Sequence, residues 1–379
     1  MINVAVFFGG ISCEHDISII TAMQVINNLD KSKYNVFPVY IDKVGNWVYS
    51  SDFVDLDSVV MRYELGHKCF FVPNDNILYR KNKLGLIRAI VKIDIVIVAM
   101  HGLNGEDGAI KVVCNISGIK CICPNVLASA LALNKCVFKS YLKGIGGVNV
   151  ITSISYNRKD GVELLKNNIK KAKLNYPLIL KPACLGSSIG ISVCHNESEL
   201  EQKINYSLRF DDDILIEQKL KNFKEYNIAL IKTRDDIIVS EIEQPIGKEE
   251  ILSYSDKYLT GTKGNRGGMS NAKKIFPARI KAKMRKLIVA MATRVYKELS
   301  LSGVVRFDFM YDCDNDIVFL NELNTIPGSF AYYLFPKLSF SKLLDICIDY
   351  EYFSNQSDNN KIKYFSSSVL KNAGKGIKK

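Results

Sequence analysis

The sequence predicts a mixed α/β and α+β protein, with an N-terminal βαβ domain followed by a two-lobed α+β body. Two long apolar runs, Val4–Phe8 and Ile93–Met100, fit strands buried on both faces of a sheet, with helix-spaced residues between them. From Ala128 onward the pattern changes to short strands and helices joined by glycine-rich connections. The length, 379 residues, calls for two or three domains rather than one.

Taken in order, Val4–Phe8 is closed by Gly9-Gly10, helical spacing covers Ser18–Leu29, and Tyr34–Ile41 returns as a strand. The run Ile93–Met100 ends at His101-Gly102, and Lys120–Cys123 stops at Pro124, which sets a first domain at 1–124. A helix containing Lys135, strand-like Pro177–Lys181, a glycine-serine loop, Gly190–Cys194 and Ile214–Glu217 form a smaller lid domain, 125–217. The third unit, 218–353, carries strands at Ile228–Lys232 and Ile237–Ile242 and a glycine-rich segment, Gly261–Gly268. A long helix, Ile280–Leu299, and strands Val304–Met310 and Ile317–Leu320 complete it. Residues 354–379 read as a disordered basic tail.

Composition excludes several classes. With 47% hydrophobic and 24% charged residues the chain has ample core for a globular protein. No apolar run reaches the roughly 18 residues of a membrane span. The apolar start reads as a strand rather than a leader, which predicts a cytoplasmic protein without membrane contact. Ten scattered cysteines without C-x-x-C spacing, and four histidines, give no zinc pattern and predict free, mostly buried thiols. The net charge of +12 owes six lysines to the stretch after residue 360, and the rest is dispersed. No compact basic helix or aromatic-basic stripe accompanies it, so no nucleic-acid partner is expected.

Four segments carry chemistry. Lys181-Pro-Ala-Cys-Leu-Gly-Ser-Ser-Ile-Gly190 sets an ammonium at a strand end beside a loop of amide donors, an arrangement suited to phosphate oxygens. In extended chain, residues two apart share a face, which pairs Arg306 with Asp308 and Glu322 with Asn324. Two carboxylates and a carboxamide from adjacent strands make an oxygen site for Mg²⁺ rather than zinc. His101-Gly-Leu-Asn-Gly-Glu-Asp-Gly108 follows a buried strand, where ligands bind in α/β domains, although Glu106 and Asp107 also suit the cap of the next helix. Gly9-Gly-Ile-Ser-Cys-Glu-His-Asp-Ile-Ser18 places acids at a helix start, where they are electrostatically favoured in any case.

In this order the segments resemble the D-alanine–D-alanine ligase family. Its G-G-x-S-x-E-H-E-x-S stands at Gly9–Ser18 with Asp for the last Glu, and its H-G-x-x-G-E-D-G at His101–Gly108. K-P-x-x-x-G-S-S-x-G occupies Lys181–Gly190, K-Y is Lys257-Tyr258, R-x-D is Arg306–Asp308, and N-E-x-N-T-x-P-G is Asn321–Gly328. The resemblance implies a pre-ATP-grasp N-terminal domain, a two-lobed ATP-grasp fold, ATP with two Mg²⁺ (or Mn²⁺) ions, and a homodimer. Lys135, Lys181 and Lys257 match groups at the nucleotide phosphates and covering loop, and Glu217, Leu220 and Glu225 those at adenine and ribose. Asp308, Glu322 and Asn324 match metal ligands. Glu14, Ser187 and Tyr258 match an ordering trio, and Arg306 and the Gly328 amide donors to a tetrahedral intermediate. His101 matches a residue near the first substrate.

The chain departs from the family pattern at several points. Ala109-Ile-Lys111 stands where a glutamine is usual, Ala183-Cys-Leu185 where many members carry arginine, and Tyr333, before Leu334, where a serine nears the second substrate's carboxylate. The implied reaction joins D-alanine to a second amino acid through an acyl phosphate for peptidoglycan precursor. D-Serine, or another acceptor of a paralogous ligase, stays open on Tyr333 and the loop at Gly261–Gly268. A non-catalytic basic ATP-binding protein is the alternative of another class.

Overall fold

The computed structural model describes residues 1–82, 84–246 and 273–354. Lys257, Tyr258, Gly261–Gly268 and the tail from 355 lie outside the described residues.

The N-terminal unit is built on β1 (Ile2–Gly9), α1 (His15–Asn28), β2 (Tyr34–Ile41), β3 (Trp47–Tyr49), α2 (Leu56–Arg62), β4 (His67–Val72), β5 (Asp75–Lys81), β6 (Ile87–Lys92), β7 (Ile95–Val98), α3 (Ala109–Ile116) and β8 (Lys120–Ile122). The sheet order is β6-β5-β4-β3-β2-β1-β7-β8. The four strands β2-β1-β7-β8 pair in parallel. Val4, Val6 and Phe8 of β1 enter one core while Ala5 and Phe7 enter the core on the opposite face, which is why the run is apolar without alternation. Four antiparallel strands, β3 to β6, extend this sheet beyond the βαβ unit. They were not legible as strands: β6 exposes Ile87, Arg88 and Ala89 and has no buried residue, so no apolar alternation marks it.

The second unit comprises α4 (Val126–Leu133), α5 (Lys135–Gly144), β9 (Ser153–Asn157), α6 (Val162–Lys171), β10 (Leu178–Pro182), β11 (Ser192–Cys194), α7 (Leu200–Ser207) and β12 (Asp213–Gln218). Its antiparallel sheet, β11-β10-β12-β9, closes over its own core of Leu165, Ile169, Leu178, Leu180, Ile204, Ile214 and Ile216. Asn134 caps α5 by accepting from the Val137 amide (3.1 Å). That cap places Lys135 in the first turn, where the helix dipole disfavours a cation. A local preference is overridden here, as it often is at functional sites.

The third unit holds β13 (Phe223–Lys232), β14 (Ile237–Val239), β15 (Gln244–Pro245), β16 (Lys274–Ile275), α8 (Ala282–Glu298), β17 (Val304–Asp312), β18 (Ile317–Asn324) and α9 (Phe340–Ser354). The sheet order is β14-β13-β17-β18, and α8 buries Ile288, Met291, Ala292 and Val295 against Phe307 and Phe309. Helix α9 leans on the first unit instead: Leu343, Leu344, Cys347 and Ile348 share a core with Val4 and Ile26. Lys33 to Asp345 (2.8 Å) and Lys111 to Glu351 (3.1 Å) tie the same two units at the rim. All ten cysteines are free and seven are buried, so they act as small apolar groups. Among the described residues, no helix is long and apolar enough to cross a membrane.

Candidate active site

The floor of the site is one face of β17 and β18. Val305, Phe307 and Phe309 point into the core, which leaves Arg306, Asp308 and Met310 on the opposite face. On β18 strict alternation fails, because Leu320 and Leu323 both enter the core although they are three apart. A bulge resolves this: Asp308 pairs with Glu322 but Phe309 pairs with Leu320, so Asn321 is an extra residue. The bulge turns Asn321 and Glu322 together toward the cavity. Arg306 binds Asp308 through two contacts, Nε to Oδ1 at 2.6 Å and a terminal nitrogen to Oδ2 at 2.7 Å. Such a fork fixes the guanidinium plane more firmly than a single bond would.

Two loops cover this floor. The Ser187 hydroxyl donates to Glu14 Oε1, joining the glycine-serine loop to the start of α1. The approach is close enough that a Cβ on Gly186 would lie 2.8 Å from Glu14 Oε2, and one on Gly102 would lie 2.4 Å from Ser12 Oγ. A side chain at Gly186 would therefore have to displace the Glu14 carboxylate, and at Gly102 the left-handed backbone (φ 73) adds its own cost. Ser187 (φ 54) and Ser188 (φ 61) hold left-handed backbone, a conformation costly for non-glycine residues and concentrated at functional sites.

Two lysines, Lys135 and Lys181, stand at the opposite wall, and a third, Lys139, is buried behind it. Lys135 donates to the Leu185 carbonyl (2.5 Å) and stands 3.4 Å from Glu322. Lys181 donates to Glu217 Oε2, and its ammonium is 3.4 Å from the Asn321 carboxamide oxygen. Lys139 Nζ lies 3.0 Å from Glu217 Oε1, an ion pair between two buried groups. Burial opposes charge on Glu217, but Lys139 and Lys181 outweigh it and hold the carboxyl down at about 2.

His101 is 4% exposed, with Nε2 2.9 Å from Thr21 Oγ1. Burial, with Arg306 nearby, lowers its pKa to about 4, so the ring is neutral at pH 7. The Ser329 amide donates to the same Thr21 oxygen (3.2 Å). Ser329, Phe330 and Ala331 form a left-handed turn (φ 54, 51 and 46), held because Phe330 and Ala331 are core residues. This turn brings Gly328 to the cavity wall. Tyr333 and Leu334 are not among the described lining residues. The Tyr333 hydroxyl donates to Glu243 Oε1 (3.2 Å), with Lys274 Nζ 3.9 Å from the ring centre, and Leu334 is fully buried.

The residues line two adjoining cavities that open to solvent. Lys135, Gly186, Ser187, Asp308 and Glu322 belong to both walls. The first is polar and holds Glu14, His101, Glu106, Arg306, Asn324 and Gly328. The second ends in an apolar slot of Ile151, Ile179, Leu220, Phe223 and Met310, with Glu217 and Glu225 at its edge, and suits a planar base. Asp308 and Glu322 on the shared wall, with Asn324 beside them in the first cavity, form an all-oxygen set that fits a hard divalent cation. Among the described residues no three His, Cys, Asp or Glu side chains cluster as a metal site.

Three participants were missed in the sequence. The N-cap of α3 is Gly108 rather than an acid; Asp107 accepts from the Ala109 amide (2.8 Å) just ahead of it, and Glu106 turns back to accept from the Gly102 amide (2.9 Å). Burial, with Glu14 and Glu322 nearby, pushes the Glu106 carboxyl up to about 8. Lys139 had a usable signal, since it lies four residues after Lys135 on one helical face. Thr21 had none, because only the fold brings α1 beneath His101.

The chain is similar to known proteins over most of its length. Residues 3–124 match the family model described as D-ala D-ala ligase N-terminus, and residues 143–346 match D-ala D-ala ligase C-terminus. A D-alanine–D-alanine ligase of Thermosipho melanesiensis is 35% identical over 92% of this chain and 93% of its own. One of Caldicellulosiruptor bescii is 33% identical, covering 96% and 98%. The crystal structure of VanG D-Ala:D-Ser ligase from Enterococcus faecalis superposes with a TM-score of 0.76 at 27% identity, covering 92% of this chain and 98% of that one.

Proposed function

The chain belongs to the D-alanine–D-alanine ligase family, and on that basis we propose that it is an ADP-forming ligase joining two D-alanines for peptidoglycan precursor. The supporting observation is the shared wall of the two cavities, where Lys135, Ser187, Asp308 and Glu322 face both. A nucleotide in the apolar slot would direct its phosphates at that wall, and an amino acid beside His101 and Glu14 would lie across it. Positioning of the two supplies much of the rate enhancement.

In this reading the carboxylate of the first D-alanine attacks the γ-phosphate, and ADP leaves. Lys135 and Lys181 draw the phosphate oxygens into line. Asp308, Glu322 and Asn324 would hold Mg²⁺ (or Mn²⁺), two ions in the family pattern, which would supply neutralisation of phosphate charge. The neutral amine of the second substrate then attacks the carbonyl carbon of the acyl phosphate, and the C–N bond forms as the C–O bond breaks and inorganic phosphate leaves. Arg306 and the Gly328 amide stabilise the developing oxyanion, and Arg306 is kept in plane by its fork on Asp308. Glu14 and Ser187 hold the glycine-serine loop over the first substrate. Neutral His101 contacts the same substrate without adding charge. Tyr258 and Lys257 complete the assignment by sequence, outside the described residues.

The same reading takes residues 1–124, 125–217 and 218–353 as N-terminal, lid and catalytic domains of a cytoplasmic homodimer. The lid and catalytic domains grip ATP between them. A second reading, D-serine as acceptor, draws on the likeness to the D-Ala:D-Ser ligase and on Tyr333. The deciding assay is ADP release with Mg²⁺-ATP and D-alanine, alone or with D-serine, other amino acids or D-lactate, with mass spectrometry of the products. D-Ala–D-Ala supports the first reading, a mixed dipeptide the second, and no ADP with any substrate overturns both.

A further inference from the structure

Lys139 has no part in the reaction described above, yet its ammonium is buried behind the nucleotide cavity, with a side chain 2% exposed. It does not line either cavity wall among the described residues. Its nitrogen lies 3.0 Å from Oε1 of Glu217, itself 1% exposed, and 3.4 Å from the Leu320 carbonyl. The other oxygen of the same carboxylate, Oε2, accepts from Lys181, which does line the nucleotide cavity. One buried carboxylate is thus shared by two ammoniums, one facing the ligand and one behind it.

That sharing has a consequence for ligand binding. Phosphate oxygens and Glu217 compete for Lys181. If Lys181 were the sole partner of Glu217, turning it toward phosphate would strand a buried charge, and much of the binding energy would be lost to that. With Lys139 behind it, Glu217 stays compensated while Lys181 moves. We infer that Lys139 is a positioning residue that neutralises Glu217 from behind and so releases Lys181 to the nucleotide phosphates. The same pairing keeps Glu217 an acceptor at the edge of the base slot, where a base bearing an exocyclic amino group would donate to it. The inference rests on the reading of this cavity as the ATP site.

The test is a double-mutant cycle read by calorimetric binding of ADP with Mg²⁺, using the full chain without amino-acid substrate. Lys139→Met is expected to weaken ADP binding at least tenfold, about 1.4 kcal/mol. In a Glu217→Gln background the same change is expected to cost less than threefold, because no buried charge remains to be compensated. Losses that simply add would overturn the inference and leave the ligase assignment standing. A wild-type chain that binds no ADP would overturn the nucleotide reading and the inference with it. If Lys139→Met alone does not fold, Glu217→Gln is compared with Glu217→Gln/Lys139→Met: affinities within threefold uphold the compensating role, and a tenfold gap overturns it.

Discussion

The site depends on individual side chains whose charge state is set by burial, and His101 is the clearest case. Its pKa is lowered to about 4, so between that value and the ordinary 6.5 the unfolded chain binds a proton that the folded chain refuses. Stability from this group is therefore complete above about pH 6.5 and declines as pH falls toward 4. Imidazole NMR should show His101 neutral down to pH 5; a midpoint near 6.5 would mean the ring is not enclosed. Arg306 makes a different prediction. Replacing it with methionine removes a preorganised donor and leaves Asp308 without its fork, so kcat should fall about 10²–10³-fold with a smaller change in KM for ATP. An equal loss in both constants would place Arg306 in ground-state nucleotide binding instead.

The loops and strands show which of these features could be read in advance. The alternation in β17 separates Arg306 and Asp308 from Phe307 and Phe309, and it was legible because spacing of two fixes a face. The bulge at Asn321 was not, since the apolar spacing from Leu320 to Leu323 fits neither a regular strand nor a helix turn without the partner strand. The glycine-serine loop was legible as a phosphate cradle, but its lock on Glu14 depends on a contact between residues 173 apart. That lock gives a test. In Gly186→Ala the new Cβ falls 2.8 Å from Glu14 Oε2, so kcat/KM should drop about 10–100-fold from displacement of the loop. Gly144→Ala is the control: it lies at the last position of α5 with nothing within 4 Å, and should keep full activity while gaining about 0.4–1 kcal/mol of stability. If both variants behave alike in steady-state kinetics, the Gly186–Glu14 contact does not shape the site.

The three units do not share their cores evenly. Strands β1 and β7 pack with helix α9 and the left-handed turn in one cluster, so the first and third units stand on common ground. The central sheet closes its own core, and the apolar cluster of Cys136, Ala183 and Leu215 that ties α5 to it is small. Local opening should follow that division, because stability tracks the number of apolar contacts crossing a boundary. Without ligand, amides of β10 and β12 should exchange with deuterium faster than those of β1 and β7. The nucleotide cavity takes Ile179, Lys181 and Glu217 from the central sheet and Glu225, Met310 and Glu322 from the third unit, so a bound nucleotide bridges the weak boundary. ADP with Mg²⁺ at about 100 times its Kd should stabilise the folded chain by about 2.7 kcal/mol. Hydrogen exchange should locate that gain in β10 and β12 more than in β1 and β7. Equal protection everywhere would mean that the central sheet unfolds only with the rest of the chain, and that closure on the nucleotide is not a separate motion.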